Sequence, residues 1–286
     1  MTKSSADIKK LRSCIKEKDG WWASIFAGPL ANRFLEPICE LEWLTPNHLT
    51  IFSFLIGLVA SYCFILGDYR SLVIGAVLVQ LSFVVDCMDG QFARYSRKFS
   101  AFGAWLDRIS DRFKDFAYFF SLAWGFSQNH GEHFEYGLTP LFNFLTYFIP
   151  MEQYFKIDPM FHMLTMRGVE LDTWLVFPVA MIALFAVFLI DYYVNQDMKF
   201  PVKEQDMSLR APKAGGNPLT LVLKFGLSIY RSIPILRFNI GEQALLVTVF
   251  CLTGSVFTLL CFFALLGSFY VFYWPFAKYY GFTDSK

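Results

Sequence analysis

An all-α fold, built as a polytopic membrane protein, follows from three observations. The 286-residue chain is 55% hydrophobic and only 17% charged, whereas soluble domains average about 25% charged residues. Several apolar runs approach the roughly 20 residues a helix needs to cross a bilayer. Turn and cap residues punctuate those runs, and Lys and Arg gather in two of the stretches between them. The expectation is six transmembrane helices plus an N-terminal interfacial amphipathic helix. Residues 1–45 form a cytoplasmic lead with that helix, and 46–286 form the six-span domain.

The lead is polar as far as Asp19 and has no short apolar core with a small-residue cleavage site. No cleaved signal peptide is therefore expected. From Trp21 to Ile38, apolar residues recur at helical spacing, interrupted by Arg33 and Glu36. That pattern suits a helix in the headgroup region with aromatic anchors. Thr45 is placed to cap the next helix, with Pro46 at its first position.

The first span is expected over about 48–66, ending at the turn Gly67-Asp68-Tyr69-Arg70. The second starts near Ser71 and continues through Arg94, and Arg97 and Lys98 mark its exit. The third covers about 101–127. Residues 128–171 are polar, then aromatic, and are broken by Pro140 and Pro150. They read as a re-entrant or interfacial excursion. A fourth span covers 173–195, a polar loop 196–216 and a second interfacial helix 219–233. A hairpin of two spans covers 241–280 and turns near Thr253-Gly254-Ser255.

Seven basic residues precede the first span and seven lie between 196 and 240. The 67–70 turn has only Arg70, and 128–171 only Lys156 and Arg167. Both termini are therefore expected in the cytoplasm. The six cysteines form no C-x-x-C pair and read as small buried hydrophobes. The net charge of +1 neither supports nor excludes a polyanionic partner.

One stretch stands apart. Asp86, Asp89, Gly90, Ala93, Arg94, Gly103, Asp107 and Asp111 follow the spacing D-x2-D-G-x2-A-R-x8-G-x3-D-x3-D. On a helix, Asp86, Asp89, Gly90, Ala93 and Arg94 share one face, and Gly103, Asp107 and Asp111 share another. Consecutive antiparallel helices can then bring four carboxylates to one point. The small residues let backbones or a ligand come close.

Ionisable residues at membrane depth are expensive and mark function. An all-oxygen donor set suits hard cations such as Mg2+ or Mn2+. Four acids and an arginine suggest two ions clamping a pyrophosphate, with the least committed aspartate as a general base. Two other readings compete. One is a buried ion network neutralised by Arg94, Arg97, Lys98, Arg108 and Arg112. The other is a divalent-cation carrier or proton relay, whose acids would be spread along a crossing path.

The spacing resembles the CDP-alcohol phosphotransferase signature at all eight fixed positions. The resemblance implies a transferase that moves a phosphate-linked group from a CDP-activated donor to an alcohol and releases CMP. It implies Asp86, Asp89, Asp107 and Asp111 as ligands of two Mg2+ or Mn2+ ions, with Asp111 as catalytic base. It places Gly90, Ala93, Arg94 and Gly103 at the nucleotide. Lys18-Asp19-Gly20-Trp21, Leu44-Thr45-Pro46-Asn47, Gly103-Ala104-Trp105-Leu106-Asp107 and Ile240-Gly241-Glu242 look like the bacterial and archaeal branch, which includes inositol-phosphate-using synthases.

CDP-diacylglycerol is the expected donor and a small polar alcohol or its phosphate the expected acceptor, in phospholipid biosynthesis. A soluble CDP-alcohol is the alternative donor. The resemblance further implies a homodimer in the prokaryotic inner (plasma) membrane, with its active site toward the cytoplasm and membrane lipid around it. No nucleic-acid partner is expected. For the acceptor, Arg108, Arg112, Lys114, Lys199, Lys203, Arg210 and Arg237 are candidates, each competing with an ordinary cytoplasmic-side charge. His130 and His133, beside Glu132 and Glu135, read as a solvated loop. Asn47 and Thr50 could face the nucleotide, though capping explains them as well.

Overall fold

The computed structural model describes residues 10–15, 20–128, 176–195 and 240–279. Every regular element among them is helical. A π-helical turn, Ala23–Ala27, runs into α1, Gly28–Leu35. Then come α2 (Pro46–Leu66), α3 (Tyr69–Ser96), α4 (Ala101–Gln128), α5 (Val176–Asn195), α6 (Ile240–Leu252) and α7 (Val256–Tyr279). The 128–171 excursion, the 196–216 loop, the 219–233 helix and the histidine–glutamate loop fall outside the described residues, apart from Gln128.

The ends of these helices obey local chemistry. Thr45 caps α2 by accepting from the His48 amide at 3.4 Å, and Pro46 opens the helix. Gly67 closes it at φ 73°, a left-handed conformation that costs glycine nothing. Asp68 then caps α3 by accepting from the Ser71 amide at 3.0 Å. Ser100 does the same for α4, accepting from Gly103 N at 2.9 Å. The α6–α7 hairpin turns at Thr253, Gly254 and Ser255, where the sequence places it.

Helices α2 and α3 are long and apolar enough to cross a membrane. Helix α4 is as long as α3, at 28 residues, but its first turns carry Asp107, Arg108, Asp111, Arg112, Lys114 and Asp115. From Phe113 onward an apolar outer stripe of Phe113, Phe116, Phe120 and Trp124 stays exposed. Helix α6 has 13 residues, about 20 Å of rise, less than a full bilayer core.

Helix α2 packs on α3 and α4, α3 also carries α6 and the lead, and α5 packs on α7. One core joins Phe64, Val79, Phe119 and Leu122 to α5, α6 and α7, with Phe119 edge-on to Phe263 at 5.2 Å. A second core lies under the lead helix and includes Leu11, Leu35, Leu49, Phe83, Val84 and Met88.

The lead helix differs from its sequence reading in one respect. Its protein-facing side is the small-residue row Ala23, Ala27, Ala31 and Leu35, all buried. The larger residues Ile25, Phe26 and Phe34 point outward, Ile25 with 70% of its surface exposed. Small residues win the inner face because they let α3 come close.

Polar groups lock that docking. Asn32 Nδ2 donates to Leu11 O at 2.8 Å and to Gln91 Oε1 at 3.2 Å. Gln91 Nε2 donates to Gly28 O at 2.9 Å. Trp22 Nε1 reaches Gln80 Oε1 at 3.0 Å, and Gln80 Nε2 reaches Thr248 Oγ1 at 2.7 Å. None of the six cysteines forms a disulfide, and Cys14, Cys39 and Cys251 are buried.

Candidate functional site

The short connection between α3 and α4 turns the chain back on itself at Arg97, whose φ is 56°. The C-terminal half of α3 and the N-terminal half of α4 therefore face each other through their side chains, and α2 packs against both. Helical spacing then brings the aspartates of α3 toward those of α4. One carboxylate oxygen each from Asp86, Asp89 and Asp107 lies within 4.8 Å of the others. Trans oxygens around Mg2+, bonded at about 2.1 Å, stand about 4.2 Å apart. Three ligands include at most one trans pair, and cis oxygens stand about 3.0 Å apart, so the carboxylates would have to draw closer together to share one ion.

The fourth acid, Asp111, stands one turn further along α4. It is 9% exposed, and its Oδ1 pairs with Lys114 Nζ at 3.0 Å. The same ammonium lies 2.8 Å from Asp86 Oδ1 and donates to Ser53 Oγ at 3.1 Å. Lys114 is only 6% exposed. It is thus no ordinary surface charge, which is the competing role that the sequence leaves open for it. One ammonium between two carboxylates leaves a net negative charge on the trio.

Helix α2 supplies the hydroxyls around these acids. Thr50 Oγ1 lies 2.5 Å from Asp89 Oδ2 and 3.2 Å from Pro46 O. Ser53 Oγ lies 3.0 Å from Ser82 O and 3.4 Å from Asp86 Oδ1. Ser82 Oγ returns a bond to Ser53 O at 2.9 Å. Ser53 is a position that the sequence reading passes over, and Thr50, weighed there between the nucleotide and capping, instead meets Asp89. Their signal was three hydroxyls of an apolar helix, Thr50, Ser53 and Ser61, a burial that is costly without partners.

The small residues serve close approach. A Cβ on Gly103 would stand 2.7 Å from Asn47 Oδ1, so Asn47 packs against this glycine. A Cβ on Gly57 would come within 3.0 Å of the Lys114 stem and 2.7 Å of the Tyr118 hydroxyl. That absent side chain is the space through which Lys114 reaches the aspartates. Gly90 and Ala93 are half-buried on the site's face of α3.

Arg94 is held from behind. Its Nε donates to Cys14 O at 2.6 Å, so the lead fixes the guanidinium next to Gly90. Arg108 is exposed at the start of α4. Arg112 pairs with Asp115 at 3.3 Å and lies over the Phe188 ring at 5.3 Å. Lys199, Lys203, Arg210 and Arg237 lie outside the described residues.

A cavity of about 40 Å3 opens behind Lys114, between α3, α4 and α6. Ser82, Asp111 and Gln243 meet Val79, Phe83 and Val247 there. That volume suits water and is far below the roughly 300 Å3 of a small-molecule site.

Comparison with known proteins sets this geometry in context. A family model described as CDP-alcohol phosphatidyltransferase matches residues 43–274. A bifunctional IPC transferase and DIPP synthase of Aquifex aeolicus is 40% identical over 83 residues, 29% of this chain and 18% of that protein. An archaetidylinositol phosphate synthase of Pyrococcus horikoshii is 39% identical over 82 residues, 29% of this chain and 42% of its own length. A phosphatidylinositol phosphate synthase of Corynebacterium glutamicum is 35% identical over 97 residues, 33% of this chain and 43% of its own. The chain thus spans less than half the length of these relatives.

Proposed function

The chain belongs to the CDP-alcohol phosphatidyltransferase family, and from that premise we propose that it transfers a phosphate-linked group from a CDP-activated donor to an alcohol, releasing CMP. CDP-diacylglycerol is the donor in this reading and a small polar alcohol or its phosphate the acceptor. The relatives named for inositol phosphate products favour an inositol phosphate as acceptor. The observation that carries the reading is the convergence of Asp86, Asp89 and Asp107 within 4.8 Å.

Asp86, Asp89, Asp107 and Asp111 hold two Mg2+ or Mn2+ ions, whose charge, when they are bound, offsets the pyrophosphate and stabilises the leaving oxygen. Gly90, Ala93, Arg94 and Gly103 line the donor. Arg94 is already aimed by its bond to Cys14 O. Asp111 takes the proton of the acceptor hydroxyl. With Oδ1 held by Lys114, Oδ2 is the atom assigned to receive it. Thr50 and Ser53 fix the carboxylates that must not move as charge builds. Arg108 and Arg112 from α4, with Lys199 and Arg210, are assigned to the acceptor's phosphate.

Six spans, cytoplasmic termini and a homodimer in the plasma membrane complete the proposal, together with the division at residue 45. The apolar lengths of α2 and α3 and the outward aromatic stripe of α4 support the membrane setting.

The test is a purified preparation given labelled CDP-diacylglycerol and a panel of alcohols that includes inositol phosphate, with products identified by mass. CMP release that requires Mg2+ or Mn2+ and disappears in Asp111→Asn is expected. Product from CDP-inositol alone would overturn the donor. Ion movement into liposomes without any nucleotide would support a carrier instead.

A further inference from the structure

Lys114 stands where a cation is needed but a divalent ion is not the only candidate. Its Nζ bridges Asp86 Oδ1 at 2.8 Å and Asp111 Oδ1 at 3.0 Å. It also donates to Ser53 Oγ at 3.1 Å. Two hydrogen bonds and one ion pair hold the ammonium in place. The side chain is buried, and a glycine at position 57 leaves the space for its stem. The position is thus built from three helices and is not a chance rotamer.

The consequence is an asymmetry between the two halves of the aspartate set. Asp86, Asp89 and Asp107 offer oxygens to one point. Asp111 offers its Oδ1 to an ammonium instead. An ion placed between Asp86 and Asp111 must displace Lys114 or sit beside it, and like charges at such separation repel strongly in a buried site.

We infer that Lys114 is an internal counter-cation that makes the two divalent sites unequal. The Asp86–Asp89–Asp107 side takes the first ion. The Asp111 side takes the second ion weakly until an anionic pyrophosphate arrives to offset the ammonium. Lys114 acts through the carboxylates and is a positioning residue. Binding of the second ion is thereby tied to arrival of the donor. The inference rests on the two-ion reading proposed above.

The test is a titration with Mn2+ alone, followed by electron paramagnetic resonance, which separates an isolated ion from a spin-coupled pair. In the unaltered protein one ion should bind first, with the coupled signal appearing only at Mn2+ concentrations at least about tenfold higher. Addition of CDP should bring the coupled signal to lower concentration. In Lys114→Met the coupled signal should appear together with the first ion. In Lys114→Arg, which keeps the charge, it should remain late.

Two ions binding with equal affinity in the unaltered protein would overturn the inference without touching the two-ion reading. So would a Lys114→Met protein that binds the first ion normally and the second as late as before. Should that variant not fold, the unaltered protein's own titration, with and without CDP, decides the matter. No Mn2+ binding at all would remove the two-ion reading and this inference with it.

Discussion

Thr50 Oγ1 lies 2.5 Å from Asp89 Oδ2 across the interface of α2 and α3. The hydroxyl comes from a helix with no acid of its own, so it orients a carboxylate from outside the aspartate cluster. Groups of this kind typically change metal affinity by about 10- to 100-fold when removed. Thr50→Val should weaken Mn2+ binding within that range while the protein stays folded. Thr50→Ser should recover most of it. Calorimetric titration with Mn2+ checks both.

Asp86 serves both the oxygen cluster and the Lys114 bridge. Asp86→Asn should therefore lose metal binding and CMP release together. Stripping the unaltered protein with a chelator should abolish CMP release, and added Mg2+ or Mn2+ should restore it. Asp111→Asn should instead keep the first ion and lose about 10²- to 10⁴-fold in turnover, the usual contribution of a general base. Parallel binding and rate measurements separate the two variants.

The bond from Arg94 Nε to Cys14 O, at 2.6 Å, ties the lead to the residue proposed to line the donor. Leu11, 2% exposed, anchors that segment in the second core. Leu11→Asp should release it, raise the KM for the CDP donor and leave Mn2+ affinity unchanged. Steady-state kinetics and the Mn2+ titration read the two quantities.

Gln91 joins Asn32 and Gly28 O between the lead helix and α3. Gln91→Leu removes both bonds. Hydrogen bonds between membrane helices are worth about 0.6 kcal/mol each, at most about 1.7, so a loss of about 1–2 kcal/mol is expected. Thermal or denaturant unfolding measures it.

Gly103→Val puts a branched side chain where even a Cβ would stand 2.7 Å from Asn47 Oδ1. Overpacking of this kind costs about 1–3 kcal/mol. The N-terminal turn of α4 should shift and take Asp107 with it. A drop in Mn2+ affinity larger than in Gly103→Ala is the expected reading.

Much of this was legible in the order of residues. Thr45-Pro46, Gly67-Asp68 and Gly254 mark helix ends because caps and left-handed turns depend on a few neighbouring atoms. The i, i+3 spacing of Asp86 and Asp89 dictates a shared face wherever α3 packs. What was not legible depends on partners distant in sequence. Lys114 resembles any other basic residue of α4 until Asp86 and Gly57 are seen around it. The lead helix's inner face escaped because apolar size points to Ile25 and Phe34, whereas close packing on α3 selects Ala27 and Ala31. The tie between Asp111 and Asp86 through Lys114 likewise depends on helices distant in sequence.

The lead helix is fastened at its start by Trp21 N, which donates to Glu242 Oε1 at 2.8 Å across 221 positions of sequence. Glu242 has no exposed surface. During synthesis the lead leaves the ribosome long before α6 exists. Its seat on the bundle cannot be finished until the last hairpin is inserted. Because the lead also supplies Cys14 O to Arg94, the segment that holds that guanidinium gains its last anchor only when α6 arrives. Competence to bind a nucleotide would thus be the last property acquired as the chain matures.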